Sequence, residues 1–382
     1  MYLTEDNTTK MQRQSRRNML RNLAALGGAS MIVHPRDLMA ITPAESYPAL
    51  SNGMVRLSSN ENPYSPSEKM KEAIQNSYVD LCRYPNARFA EVEKLIAERE
   101  GVDPTNVVIT SGSREGLKAA GLVYGKNGGE ILTCLPTYRA LLTYAEKFGA
   151  YINVVPLDEN LQFNLPELQK RISANTNLVF VCNPNNPTGR LLDSEKLKTF
   201  VRKASERTMV FVDEVYFDYI EEEGYPSMSS MINEGHNVII SRTFSKIFGL
   251  AGVRVGFLMA RADIAKRLRD RLMSGTNIMG VNLAKAALDD DTFRSFSLEK
   301  NREGKQMIYA SLDKLGMRYL PSHSNFVFFQ TGQPIEEVQK KFKDEGIFVG
   351  RPFPPFLDWC RISTGKVEEV AAFTKALEKV FS

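Results

Sequence analysis

Histidine and cysteine are scarce in this chain: three histidines and four cysteines in 382 residues. Cys82, Cys134, Cys182 and Cys360 stand singly, with no Cys-x-x-Cys pair and no histidine cluster near them. That pattern argues against both a disulfide framework and a zinc site, so the cysteines are expected in the core and no metal is expected. Apolar runs of bilayer length are absent too. The candidate nearest the amino end, "LAALGGASMIV", has 11 residues and is too short to span a membrane, so no stable insertion is expected. Net charge is low, at +4, and residues 1–43 hold six basic and three acidic side chains, so +3 of it lies there and +1 is left for the rest. Such a near-neutral body gives no electrostatic reason to bind nucleic acid.

What is present is an ordinary globular composition, 43% hydrophobic and 25% charged, in a chain long enough for two domains. Within residues 1–43, "SRRNMLR" (Ser15 to Arg21) precedes the short apolar stretch and resembles a twin-arginine export signal, with Met19 in the apolar place. That resemblance implies export to the periplasm; a basic amphipathic start, with a cytoplasmic protein, is the alternative. Residues 44–75 are expected to form an amino-terminal arm, 76–273 a large domain and 274–382 a smaller α+β domain.

From Asn106 onward, β-branched runs alternate with helical stretches: "NVVIT", "EILTCLP", "YINVVPL", "NLVFVCNP", "MVFVDEVY", "NVIISRTF" and "VRVGFLMA". Strands apolar through most of their length and spaced by helices predict an α/β fold with a mostly parallel sheet covered on both faces. Beyond Met273 come "NFVFFQ", a charged helix "PIEEVQKKFKDEG", "IFVG", "WCRISTG" and a last helix with Val367, Val370, Phe373, Leu377 and Val380 on one face.

Ligands of open α/β sheets bind beyond the carboxyl ends of the strands, so the polar residues that follow each run matter most. "TSGSREGLKAA" ends a strand, turns on small residues and starts a helix whose backbone N–H groups suit an anion, although any βα turn can carry Gly and Ser. Asp213 ends a buried strand and needs a cation or a donor, be it a protonated ring nitrogen or a nearby loop or helix that it caps. Lys246, among Phe244, Ile247, Phe248 and Leu250, either reaches solvent or has a lowered pKa that makes it a nucleophile. Arg254 is expected on the last apolar strand, where an arginine calls for an anion, with Thr243 and Ser245 supplying hydroxyls nearby.

The ordered set "NENP", "RYPN", "SGSREG", "PTY", "CNPNNPTG", "DEVY", "TFSKIFGLAGVRVGF" and "CRISTG", spread over about residues 55–382, resembles the fold-type I pyridoxal-phosphate aminotransferases, and most of all their histidinol-phosphate branch. The resemblance implies a seven-stranded sheet, pyridoxal 5'-phosphate as cofactor, and a homodimer in which Tyr84 reaches the phosphate of a second subunit. It implies Lys246 as the Schiff-base lysine and Asp213 as partner of the pyridinium nitrogen. Asn186 and Tyr216 would bond the ring's phenolic oxygen and Tyr138 would stack on the ring. Ser113, Arg114, Thr243, Ser245 and Arg254 would hold the phosphate. For substrate, an amino donor and a 2-oxo acid acceptor, it implies Arg361 and Asn325 at the α-carboxylate and Arg351, Tyr64 and Asn62 nearby. Two departures bear on the donor: Gln330 stands where many members have arginine, and "GSR" replaces the branch's "GAD". Alternatives are an aromatic amino-acid aminotransferase and a decarboxylase of a phosphorylated amino acid. A transcription regulator built on this body would need a winged-helix domain, for which 43 residues are too few. A degenerate binding protein would lack Lys246, Asp213 or Arg361.

Overall fold

Each of the seven apolar runs folds as a strand of one sheet. The computed structural model describes residues 53–382; the leader and the first part of the arm lie outside these residues. A two-residue strand β1 (Val55–Arg56) comes first. The sheet follows, built from β2 (Val107–Thr110), β3 (Glu130–Leu135), β4 (Tyr151–Pro156), β5 (Thr176–Cys182), β6 (Met209–Asp213), β7 (Val238–Thr243) and β8 (Gly256–Ala260). Their order is β2-β8-β7-β6-β5-β3-β4. Strands β4, β3, β5, β6 and β7 pair in parallel, and β8 runs antiparallel to both β7 and β2. Helices connect the parallel strands, as such pairing requires. The helix Ser194–Ser205 shows why they dock: Asp193 caps its start by accepting the Lys196 N–H, and Leu197, Phe200, Val201 and Ala204 make one buried stripe.

The later strands are β9 (Tyr319–Leu320), β10 (Phe326–Gln330), β11 (Ile347–Phe348) and β12 (Trp359–Ser363). β12, β10 and β9 form an antiparallel sheet, while β11 pairs in parallel with β1. One apolar core takes in β2 to β8 and reaches Phe293. The helix Ile278–Leu288 therefore packs in the larger core. A second core holds Leu57, Val327, Phe329, Phe342 and the closing helix Val367–Phe381, whose Val370, Phe373 and Leu377 are buried. Leu57 ties the segment after β1 to this core, and its carbonyl accepts the Ser363 N–H at 2.8 Å. That contact carries residues 58–62 toward the ends of the large sheet's strands.

Two expectations need correction. Arg254 is not on a strand, because β8 begins at Gly256. It sits in the preceding turn with φ +63°, an unfavourable conformation for a residue with a side chain, where its guanidinium bonds the Ala251 carbonyl at 2.8 Å. Cys82 is exposed, whereas Cys134, Cys182 and Cys360 are buried. Cys82 follows the short helix Ser77–Asp80 and lies in an outward-facing run with Tyr78, Val79, Leu81 and Tyr84, the last 93% exposed. Among the described residues no helix is long and apolar enough to cross a membrane, and no group of side chains has metal-holding composition.

Candidate functional site

The carboxyl ends of β2, β5, β6 and β7 converge, as the topology of an open α/β sheet dictates. After β2, Gly112 has φ +80° and precedes the helix Ser113–Gly125, which starts with no side-chain cap. A Cβ on Gly112 would stand 2.1 Å from Arg254 Nη2, and one on Gly256 2.7 Å from the Ser113 nitrogen. Glycine at both places lets the guanidinium and the helix start come together. Arg254 Nη1 also donates to Ser245 Oγ at 3.4 Å, and the Ser245 N–H donates to Thr243 Oγ1 at 3.1 Å. A cation, two hydroxyls and an uncapped helix start make a cradle for a phosphate. Arg114 turns aside from it. Its Nε donates to the Tyr138 hydroxyl at 3.4 Å.

Beside the cradle lie two buried groups of opposite charge. Asp213, fully buried at the end of β6, has no hydrogen-bond partner for either carboxylate oxygen. Desolvation pushes its pKa up to about 7, against the weaker pull of the Ser241 hydroxyl on the neighbouring strand. An orphaned carboxylate in this position fits a ligand that brings its own buried N–H cation. Lys246 is lowered to about 7, first by desolvation and then by the Arg361 charge. Its Nζ opens partly to the cleft and donates to the Asn60 carbonyl at 2.8 Å. An amine so placed gives up its proton near neutrality instead of well above it.

Arg361 comes from β12 of the second sheet and reaches into the same space. Its Nη1 donates to Asn186 Oδ1 at 2.8 Å and its Nη2 to the Ser58 carbonyl at 2.6 Å. Asn186 Nδ2 in turn donates to the Tyr216 hydroxyl at 3.4 Å. Asn325 is buried, with Nδ2 on the Glu61 carbonyl at 3.4 Å and Oδ1 without a partner. Arg351 and Arg361 both pack on the Phe353 ring, at 4.3 and 5.0 Å from its centroid, which sets two cations close together. Desolvation, and after it the like charge of Arg139, lowers the Arg351 pKa.

Some candidates are engaged elsewhere in the chain. Asn62 Nδ2 donates to the Ile247 carbonyl at 2.7 Å and to Ser297 Oγ at 3.0 Å. The Tyr64 hydroxyl accepts the Val367 N–H at 3.1 Å while its ring stands edge-on to Phe296. Gln330 donates to Asp358 at 2.7 Å and adds no charge. Tyr84 points away into solvent.

The sequence reading passed over several residues. Asn60, buried and at φ +54°, joins Lys246, Tyr216 and Ser363; it was visible only as the first letter of "NENP". Glu214, next to Asp213, accepts from Arg242 Nε at 3.0 Å, from Ser227 Oγ and from the Met228 N–H. Arg242 also pairs with Glu100 at 3.1 Å and stacks on Phe217, with the guanidinium carbon 3.7 Å from the ring centroid. This buried network clamps the ends of β6 and β7, and so the bases of Asp213 and the Thr243–Lys246 turn. A buried Arg with two carboxylates is stable only as a complete set.

A family model described as aminotransferase class I and II matches residues 52–377. The chain is 34% identical over 333 residues to the histidinol-phosphate aminotransferase of Moorella thermoacetica, covering 86% of each chain. It is 32% identical over 330 residues to that of Caldicellulosiruptor saccharolyticus, covering 86% of this chain and 92% of the other. The crystal structure of histidinol-phosphate aminotransferase from Sinorhizobium meliloti in complex with pyridoxal-5'-phosphate is similar to the fold with a TM-score of 0.80, at 26% identity over 94% of this chain and 96% of that one.

Proposed function

Since the chain belongs to the class I and II aminotransferases and is a pyridoxal-phosphate-dependent enzyme of that family, we propose that it transfers an amino group from histidinol phosphate or a similar donor to a 2-oxo acid such as 2-oxoglutarate. The observation that carries this reading is the presence in one site of Asp213, a buried carboxylate without a hydrogen-bond partner, and Lys246, an amine whose pKa is lowered to about 7.

When bound, pyridoxal phosphate supplies a ring that withdraws electrons from the substrate α-carbon. The chain's own residues then divide the work. Ser113, Thr243, Ser245 and Arg254 would hold the phosphate, with Arg114 beside them on the Tyr138 hydroxyl, and Tyr138 would offer its ring to the cofactor. Asp213 would stabilise a proton on the ring nitrogen, because its carboxylate oxygens are otherwise without a partner. Asn186 and Tyr216 would bond the phenolic oxygen. Lys246 Nζ, neutral in half the molecules at about pH 7, takes the proton that leaves the α-carbon. Arg361 offers a planar fork to the substrate's anionic group, with Asn325 alongside, and the second cation at Arg351 favours a substrate with more than one negative oxygen.

The test is a panel of amino donors, histidinol phosphate and aromatic amino acids included, with 2-oxoglutarate as acceptor. Transfer from histidinol phosphate is expected; carbon dioxide release without transfer would make the protein a decarboxylase. In the same panel Arg361→Ala lowers kcat/KM by roughly 10- to 100-fold, the value of a charge-assisted hydrogen-bond pair, and the loss falls first on substrates with a carboxylate. Equal rates for both proteins would remove Arg361 from the substrate.

We also propose a homodimer with Tyr84 contributed across the interface. The support is the exposed apolar run Tyr78, Val79, Leu81 and Tyr84. Sedimentation at the 43.0 kDa chain mass, rather than twice it, would refute this. Export through a twin-arginine signal rests on the Ser15–Arg21 pattern; a reporter carrying residues 1–43 that stays in the cytoplasm, or leaves it equally well with Arg16 and Arg17 changed to lysine, defeats the twin-arginine reading.

A further inference from the structure

Asn60 makes more contacts with the site than any role given to the arm explains. It is 1% exposed and adopts φ +54°, a conformation that asparagine tolerates better than most residues. Its N–H donates to Ser363 Oγ at 2.8 Å, and Ser363 Oγ returns its one proton to Asn60 Oδ1 at 2.8 Å. That exchange orients the side-chain amide, leaving Nδ2 to donate to the Tyr216 hydroxyl at 2.9 Å. Asn186 is oriented in the same way. An arginine can only donate, so the bond from Arg361 Nη1 fixes Oδ1 toward Arg361 and Nδ2 toward Tyr216.

Tyr216 therefore receives two N–H donors on one phenol oxygen. A phenol has one proton to give, and with its acceptor directions filled that proton must point elsewhere. We propose that Asn60 is a positioning residue: with Asn186 it occupies the acceptor side of Tyr216 and so makes the hydroxyl a donor toward the phenolic oxygen of the cofactor. The proposal rests on the reading of the site given under Proposed function. It also closes a circuit, because Ser363 and Arg361 lie two apart on β12 and project from the same side of it. Hydrogen bonds run from Arg361 through Asn186, Tyr216 and Asn60 to Ser363, so the residue that meets substrate and the residue that meets cofactor share one frame.

Two substitutions separate side chain from backbone. Asn60→Gly keeps the left-handed conformation and removes the amide. Asn60→Asp keeps the shape but turns the donor at Nδ2 into an acceptor that competes for the Tyr216 proton. The readout is the pH titration of the bound cofactor's visible absorption in the holoenzyme, alongside the melting temperature of each protein. A donor to the phenolic oxygen favours its anionic form, so losing that donor raises the apparent pKa. We expect an upward shift of about one unit for Asn60→Gly and a larger one for Asn60→Asp. In a Tyr216→Phe background neither substitution shifts the titration, whatever it does to melting.

An unchanged titration in Asn60→Asp and Asn60→Gly, or a shift that persists without the Tyr216 hydroxyl, overturns the proposal. Should Asn60→Gly fail to fold, the near-isosteric Asn60→Asp decides alone. A wild-type protein that takes up no pyridoxal phosphate would instead refute the reading of the site, a separate and distinguishable result.

Discussion

A Lys246→Ala protein transfers amino groups at a rate lower by about 10⁴-fold or more, since one substitution removes both the nucleophile and the proton carrier. The fold should survive, because the Lys246 Nζ gives its hydrogen bonds to backbone carbonyls of Ser59 and Asn60 that are near the cleft, and its removal relieves a charge that desolvation disfavours. Borohydride treatment followed by peptide mass analysis supplies the check. Wild-type protein retains cofactor mass on the peptide containing residue 246, and the variant retains none. Full turnover in the variant, or labelling on another peptide, would move the chemistry away from Lys246.

Asp213→Asn is the second large effect. Removing one partner of a buried ion pair costs about 3–5 kcal/mol, so kcat with cofactor bound falls roughly 10²- to 10⁴-fold. The cofactor-free protein responds in the opposite sense. Asp213 keeps its proton to about pH 7 in the fold and loses it near pH 4 when unfolded, so its contribution to stability is present in acid and is lost as pH climbs from about 4 through 7. Asparagine removes that decline. Lys246 acts with the reverse slope, its contribution being present in base and lost as pH falls from about 10.5 through 7. Since Lys246 opens partly to the cleft, solvent screens its share and makes it the smaller one. Melting of cofactor-stripped protein between pH 5 and 10 should thus dip near neutrality, and the acid side of the dip should flatten in Asp213→Asn. A dip of unchanged depth in the variant would show that Asp213 does not feel its burial.

How much of this was readable from the chain follows from the physics of each signal. The strands of the large sheet were legible because two-sided burial demands uninterrupted Val, Ile, Leu and Phe, a pattern that "LVFVC" and "VIIS" carry in one line. Asp213 and Lys246 drew attention because a charged group set among apolar residues is costly, whereas Asn186 came only from the family resemblance. Arg254 was located in the right site but in the wrong backbone, since "VRVGFLMA" alternates like a strand from its first residue and only the close approach to Gly112 forces the turn. Asn60 and Ser363 stayed hidden for another reason. They are 303 positions apart, and a hydrogen bond between side chain and backbone at that separation leaves no periodicity behind. Cys82 was misjudged on average behaviour: free cysteine is usually buried, but it follows a short helix whose apolar residues face outward.

The Arg242 network has a consequence for conditions far from the assay buffer. Ion pairs such as Arg261 with Asp263 or Lys266 with Asp270 lie at the surface, where dissolved salt weakens them. Arg242 is 4% exposed and Glu214 2%, so counterions cannot reach the bonds between them. As ionic strength rises, the outer ionic contacts fade first and the ends of β6 and β7 keep their spacing. Catalytic geometry in this enzyme should therefore outlast much of its surface electrostatics in brine.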